Sequence, residues 1–445
     1  MTPRTARTAL RPLAARSLAT LAVAGLALAA LTGCGPALQG ATTLDKDAKV
    51  TLTWWTGQDA AANDTLKALA EEFTTDHPNV TIDVSPGASS TDQLLQKLSA
   101  SFPANTYPDI SYAFGSWASE LEGSGRTLDI TDQVAEPDVK WDEFPEAARQ
   151  TVQPTGTKTI GFPAIVDNIS LIYNTQLFDD AGLDYPTADW TWDDFRAAAK
   201  KLTDASKNQY GYAYSVSGSE DTTWQFWPHL WQNGGEILND DSTAATFNSQ
   251  AGVDGLTLLR DMAIDDKSVY LDQTDTKYGE LFAAGSIGMI TSGPWQLYDL
   301  KTAGTPYGVT ILPGTDGDHT TVSGPDIWAL FDHKDKNREY WAYQLIEWLT
   351  SSEQDQRWNV AIGNLPLRTG ELDSDAFTAQ VENYPFLDVM AANGENATHA
   401  RPTVPGYTGL SEAIGSAISH VLQGDGDPQE ALDGAVDDAN DALSK

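Results

Sequence analysis

The chain has 445 residues, 63 of them acidic and 27 basic, for a net charge of -36, and it contains a single cysteine. Such a charge repels phosphate backbones and anionic head groups, which excludes nucleic acid as a partner, and one cysteine can form neither an internal disulfide nor a CxxC zinc or redox pair. The length corresponds to two or three domains with substantial cores, and 41% hydrophobic residues with 14 Trp, 15 Tyr and 13 Phe exclude a disordered acidic chain.

The N-terminus carries Arg4, Arg7, Arg11 and Arg16 without an acid, then an apolar run from Leu18 to Leu31 that is shorter than the roughly 20 residues a membrane-spanning helix needs. It reads as an export signal. Leu31-Thr32-Gly33-Cys34 resembles the bacterial lipobox, which implies that Cys34 carries a lipid and begins the mature protein. Loss of residues 1–33 removes four arginines and no acid and takes the net charge from -36 to -40. Residues 34–49, small and polar, read as a tether to the outer face of the membrane.

Val50–Thr56 alternates apolar and polar residues and predicts a strand. Leu66, Leu69, Ala70 and Phe73 fall on one helix face, ended by His77-Pro78. Val80–Val84, a helix carrying Leu94, Leu95 and Leu98, and Pro108–Phe114 continue the alternation, which predicts a parallel sheet with ligands beyond the carboxyl ends of its strands. Further on, Ile169–Asn174, Ser286–Thr291 and Tyr307–Leu312 read as strands, and Trp192–Leu202 as a helix capped by Thr191. Trp341, Leu345 and Trp348 mark the buried side of another helix, and Leu410, Ile414, Ala417, Ile418 and Val421 form an apolar stripe near the C-terminus.

No nucleophile elbow, phosphate loop, dinucleotide fingerprint, zinc-protease motif or complete calcium loop is present. The six histidines have no i, i+3 or i+4 pair, so no metal and no cofactor is expected. A secreted glycoside hydrolase needs only two carboxylates flanked by aromatics, and 63 acids leave that alternative open. The aromatic residues are the more telling signal. Sugar rings pack their apolar faces on aromatic planes, and their hydroxyls need carboxylates, amides and indole N–H groups. Most tryptophans belong to cores, but Trp295, after Gly293-Pro294, and the Trp224/Trp227 pair stand outside helix stripes and are candidate platforms.

Gly161-Phe-Pro-Ala-Ile-Val-Asp-Asn-Ile-Ser-Leu-Ile-Tyr-Asn-Thr-Gln-Leu-Phe178, Gly285-Ser-Ile-Gly-Met-Ile-Thr-Ser-Gly-Pro-Trp295, Tyr307-Gly-Val-Thr-Ile-Leu-Pro313 and Gly363-Asn-Leu-Pro-Leu-Arg368 resemble the extracellular solute-binding proteins of carbohydrate ABC importers, the family of the maltodextrin-binding protein. The resemblance implies an α/β, two-lobed periplasmic-binding-protein-like fold, with several crossovers and a cleft that closes on a sugar without catalysis. It implies a first lobe over 50–164 and 328–368 and a second over 165–327 and 369–445.

Carried over by motif, Gln58, Asp59, Ser116 and Trp117 would bind from the first lobe, and Asp167, Asn168, Trp224, Trp227 and Trp295 from the second. Asp326, Arg368 and Tyr407 complete the expected set. Ser116 departs from the maltodextrin pattern, which has an acid there, and Gln58 and Asp59 replace an acid and a lysine. The implied ligand is a neutral di- or oligosaccharide. The implied partners are the transmembrane permease subunits and, through Cys34, the membrane, and the protein is expected to be a monomer.

Overall fold

The computed structural model describes residues 40–88 and 91–445. Cys34 and the export signal lie outside the described residues. Twelve strands are present among the described residues: β1 (Val50–Trp55), β2 (Val80–Ser85), β3 (Ile110–Phe114), β4 (Gly161–Ile165), β5 (Ser170–Asn174), β6 (Tyr210–Ser215), β7 (Val269–Asp272), β8 (Ile287–Ser292), β9 (Tyr307–Thr310), β10 (Val322–Ser323), β11 (Asp326–Leu330) and β12 (His399–Ala400). One five-stranded sheet has the order β2-β1-β3-β11-β4, a second has the order β7-β6-β8-β5-β9, and β10 pairs with β12.

Val50, Leu52 and Trp54 of β1 are buried, as the alternation requires. The helix Ala60–Asp76 begins where the Asp59 carboxylate accepts a hydrogen bond from the Ala62 amide, and it lays Leu66, Leu69, Ala70 and Phe73 against the sheet. Trp192–Leu202 is a helix with a complete capping box between Thr191 and Asp194. Three buried indoles stitch the first core: Trp328 on β11 meets Trp54 at 5.2 Å and Trp358 at 5.7 Å between ring centroids.

The expected parallel sheet is found for β2, β1 and β3, but β11 runs antiparallel between β3 and β4. The cause is the path of the chain. After β4 it crosses through Val166–Ile169 into β5, and it returns after β10 to β11. A strand entering from the other lobe starts at the end of the sheet where the parallel strands finish, so Asp326 pairs with Phe114, the last residue of β3. The same logic makes β5 antiparallel to β8, with Ser170 opposite Ser292. Carboxyl ends of the parallel strands and these two crossovers therefore gather at one place, where an α/β fold binds ligands.

The stretch from Gly40 packs on the fold, so of the expected tether over 34–49 residues 40–49 belong to the folded body, and residues 34–39 lie outside the described residues. The Lys336 amide donates to the Ala41 carbonyl (2.8 Å), the Asp45 amide to Asn337 Oδ1 (2.7 Å), and Asn79 Nδ2 to the carbonyls of Lys46 (2.9 Å) and Ala48 (3.0 Å). No described helix is long and apolar enough to cross a membrane.

Candidate functional site

A cavity of about 530 Å³ lies where the two sheets' carboxyl ends meet, within the range of small-molecule sites. From the first sheet it is lined by Gln58 and Asp59 after β1, Tyr112 and Phe114 of β3, and Ile165 of β4. The crossovers add Asp167 and Asp326, and the second sheet adds Glu220, Asp221 and Trp224 after β6, Thr274–Thr276 after β7, and Trp295, Tyr298 and Asp299 after β8. Asn364 and Arg401 close the wall.

Six of the expected site residues thus come together: Gln58, Asp59, Asp167, Trp224, Trp295 and Asp326. Trp295 is 36% exposed, and it folds back so tightly that a Cβ on Gly293 would lie 1.9 Å from its ring. Trp224 is buried, yet its Nε1 has no hydrogen-bond partner among the described residues. Gly324 lets Trp224 and Asp167 converge, since a Cβ there would fall 1.9 Å from the Trp224 ring and 2.4 Å from Asp167 Oδ1.

The other six lie elsewhere. Gly115–Trp117 winds into a 3-10 turn that buries Ser116 and packs Trp117 on Phe114 at 4.8 Å, facing the core. Asn168 holds the crossover instead of a ligand: its Nδ2 donates to the Met390 carbonyl (3.0 Å) and its Oδ1 accepts from Asn393 (3.1 Å). Trp227 is fully buried and donates from Nε1 to the Tyr407 hydroxyl (3.3 Å), which donates in turn to Glu220 Oε1 (3.1 Å). Both therefore stand behind the cavity wall and brace an acid that lines it. Arg368 is a structural cation of the first lobe, bonded to the Thr350 (3.1 Å) and Lys140 (3.2 Å) carbonyls and to Glu143 Oε2 (3.1 Å). A single aromatic, polar or basic residue outside an apolar stripe carries no periodic mark of which way it faces, and this is why the sequence does not separate these six from those that line the cavity.

Arg401 is the residue that sequence reasoning missed most consequentially. Its guanidinium pairs with Glu220 Oε1 at 3.2 Å and Asp326 Oδ1 at 3.3 Å, all three side chains being buried, and it lies 4.2 Å from the Trp224 ring centroid. Asp326 also accepts from the Tyr112 hydroxyl (2.5 Å). Burial raises the Asp326 carboxyl to about 6, against the opposing pull of Arg401 and Tyr112. Asp167 is raised well above the ordinary carboxylate range, first by burial and then by the Asp326 charge, with Arg401 opposing. Toward the mouth, burial and the Asp59 charge raise Asp299. The one available signal for Arg401 was the dipeptide Arg401-Pro402 in a stretch without period; Ser219-Glu220-Asp221 at least reads as a helix start, and Ser219 does cap the Asp221 amide.

Acceptors dominate this wall, and its single cation among the described residues, Arg401, is already paired. Such a surface suits a ligand rich in hydrogen-bond donors with flat apolar faces. Among the described residues no cluster of His, Cys, Asp and Glu is arranged to hold a metal ion.

Residues 68–385 match the family model described as bacterial extracellular solute-binding protein. The chain is 26% identical to an ABC transporter solute-binding protein of Thermotoga lettingae solved with alpha-D-tagatose, covering 89% of this chain and 100% of that one with a TM-score of 0.79. It is 25% identical to a Listeria monocytogenes ABC substrate-binding protein solved with cycloalternan, covering 89% and 99%, again with a TM-score of 0.79. Against the sn-glycerol-3-phosphate-binding periplasmic protein of Escherichia coli it is 23% identical over 436 residues, 93% of this chain and 97% of that one. The fold is that of the periplasmic-binding-protein-like solute receptors, and the chain belongs to the bacterial extracellular solute-binding proteins, which are substrate-binding proteins of ABC transporters and not enzymes.

Proposed function

We propose that the protein captures a di- or oligosaccharide in this cleft and delivers it to the permease of an ABC importer, held at the outer face of the membrane by a lipid on Cys34. The observation that carries the choice of ligand is the charge of the wall. Asp59, Asp167, Glu220, Asp221, Asp275, Asp299 and Asp326 line it, and Arg401, its one cation among the described residues, is engaged by two of them. A phosphate ester needs free Arg, Lys or an exposed helix N-terminus; a glycerophosphate, the ligand named for the Escherichia coli relative, would face net repulsion here. Sugar hydroxyls can donate to these carboxylates while the rings stack on Trp224 and Trp295. Gln58 and Asp59 approach from one lobe and Trp224 and Trp295 from the other, so a ligand touching all four stabilises the closed arrangement and shifts the population toward it.

The test is a thermal-shift screen of the mature protein against neutral glycans and sn-glycerol-3-phosphate, since a ligand that binds the native state raises the melting temperature. Stabilisation by a glycan and none by the phosphate is the expected result. The converse would replace this reading with the glycerophosphate one.

A further inference from the structure

The Asp167 carboxylate is held differently from other aspartates of this protein that are drawn into its interior. Asp109 is gripped by Arg338 through two bonds of 2.8 Å. Asp266 is paired with Arg196 at 2.5 Å and Lys200 at 3.0 Å. Asp355 accepts from the Leu367 amide (2.9 Å) and Asn359 Nδ2 (3.0 Å). Asp167 Oδ1 is sealed from solvent and has no partner among the described residues. It is held in place nonetheless: the Asp167 carbonyl accepts from the Gly324 amide at 3.0 Å, and the bare Cα of Gly324 leaves the carboxylate its room.

Arg401 stands nearby but forms no ion pair with it; its Nη1 bonds Glu220 and its Nη2 bonds Asp326. Three carboxylates therefore share one guanidinium. A second buried acceptor faces the same cavity, for Asn364 is 2% exposed, lines the wall, and its Oδ1 has no partner among the described residues. Unpaired buried acceptors are costly, and an uncompensated carboxylate more so. Burial and the Asp326 charge push Asp167 toward its protonated form, and a neutral hydroxyl supplies a hydrogen bond but no charge to hold it ionised. An ammonium supplies both, and aromatic rings beside carboxylates, here Trp224, Tyr278 and Trp295, are the surroundings in which organic cations bind. The net charge of -36 also steers cations toward the molecule.

We infer that the cleft prefers a sugar bearing a protonated amine, with the ammonium against Asp167 Oδ1 and the Asn364 carbonyl. This rests on the cleft being the sugar site and goes beyond it by assigning the ligand a charge. The test is calorimetric titration of the mature protein at neutral pH with matched sugars: glucose, cellotriose and trehalose against glucosamine, the β-1,4-linked glucosamine trimer and 2-amino-2-deoxytrehalose. In at least one pair the amine should bind tenfold tighter or better, and Asp167→Asn, with an unchanged melting temperature in the free protein, should reduce that ratio below threefold. Neutral members that bind as tightly as their amines overturn the inference and leave the sugar reading intact. Silence from every amine while a neutral glycan binds overturns it equally, and silence from all amines and neutral glycans together removes the sugar reading as well.

Discussion

Replacing Gly324 with alanine adds one methyl group at the point where the two crossovers and the cavity meet. Gly324 lies outside the left-handed region of backbone space, so alanine brings no conformational strain, and its whole effect is steric. The new Cβ would sit 1.9 Å from the Trp224 ring, where carbon atoms at rest stand about 3.5–4.0 Å apart, and 2.4 Å from Asp167 Oδ1. The indole must therefore retreat by more than an ångström and Asp167 must turn. Losing the stacking face costs about 0.5–1.5 kcal/mol and losing one bond to a charged acceptor about 1.5–3 kcal/mol. Together these weaken binding by about 30-fold or more, while overpacking costs the free protein about 1–3 kcal/mol. Calorimetry gives the dissociation constant and thermal denaturation the stability. A dissociation constant within threefold of wild type would refute the placement of Trp224 and Asp167 in the site.

Three further outcomes are expected. Trp295→Ala should cost about 2 kcal/mol of binding, since roughly 90 Å² of an indole of about 250 Å² is exposed for a ligand to cover, its exposure being 36%; calorimetry showing unaltered affinity in a variant with a native circular dichroism spectrum would contradict this. Arg368→Ala should lower stability by about 2–3 kcal/mol through its lost carbonyl and Glu143 bonds and leave affinity unchanged; a weakened affinity would return Arg368 to the site. Burial raises the Asp355 carboxyl to about 7 and the Asp326 carboxyl to about 6, so each binds its proton more tightly folded than unfolded. The stability they confer is full below about pH 4 and is lost as pH rises through 6 and 7, while buried His229, lowered to about 3, acts in the opposite sense up to about pH 6.5; the melting temperature of Asp355→Asn relative to wild type should therefore rise between pH 5 and 8, and a difference that stays flat over that range would contradict the burial of Asp355.

Local signals in this chain were legible wherever a period or a cap marks them. The stripe of Leu66, Leu69, Ala70 and Phe73, and the helix Trp192–Leu202 capped by Thr191, appear where sequence places them. Asp167 and Asp326 were recognisable as acids beside crossovers, and both line the cavity. The orientation of β11 was not legible, because it depends on where the chain returns from the second lobe. Nor was the facing of the aromatics: Trp224 and Trp227 are three residues apart, and one lines the cavity while the other is sealed behind it against Tyr407. Arg401 was silent for a related reason, since its partners Glu220 and Asp326 are 181 and 75 residues away in the chain.

The most direct test of the central claim is a calorimetric titration of the mature protein with the glycan that stabilises it most, followed by recovery of that glycan after long incubation. One sugar per chain at micromolar or tighter affinity, about -8 kcal/mol or better, returned chemically unchanged, is the result this account predicts. Absence of binding heat with every sugar, alongside saturable one-to-one binding of sn-glycerol-3-phosphate, would contradict it.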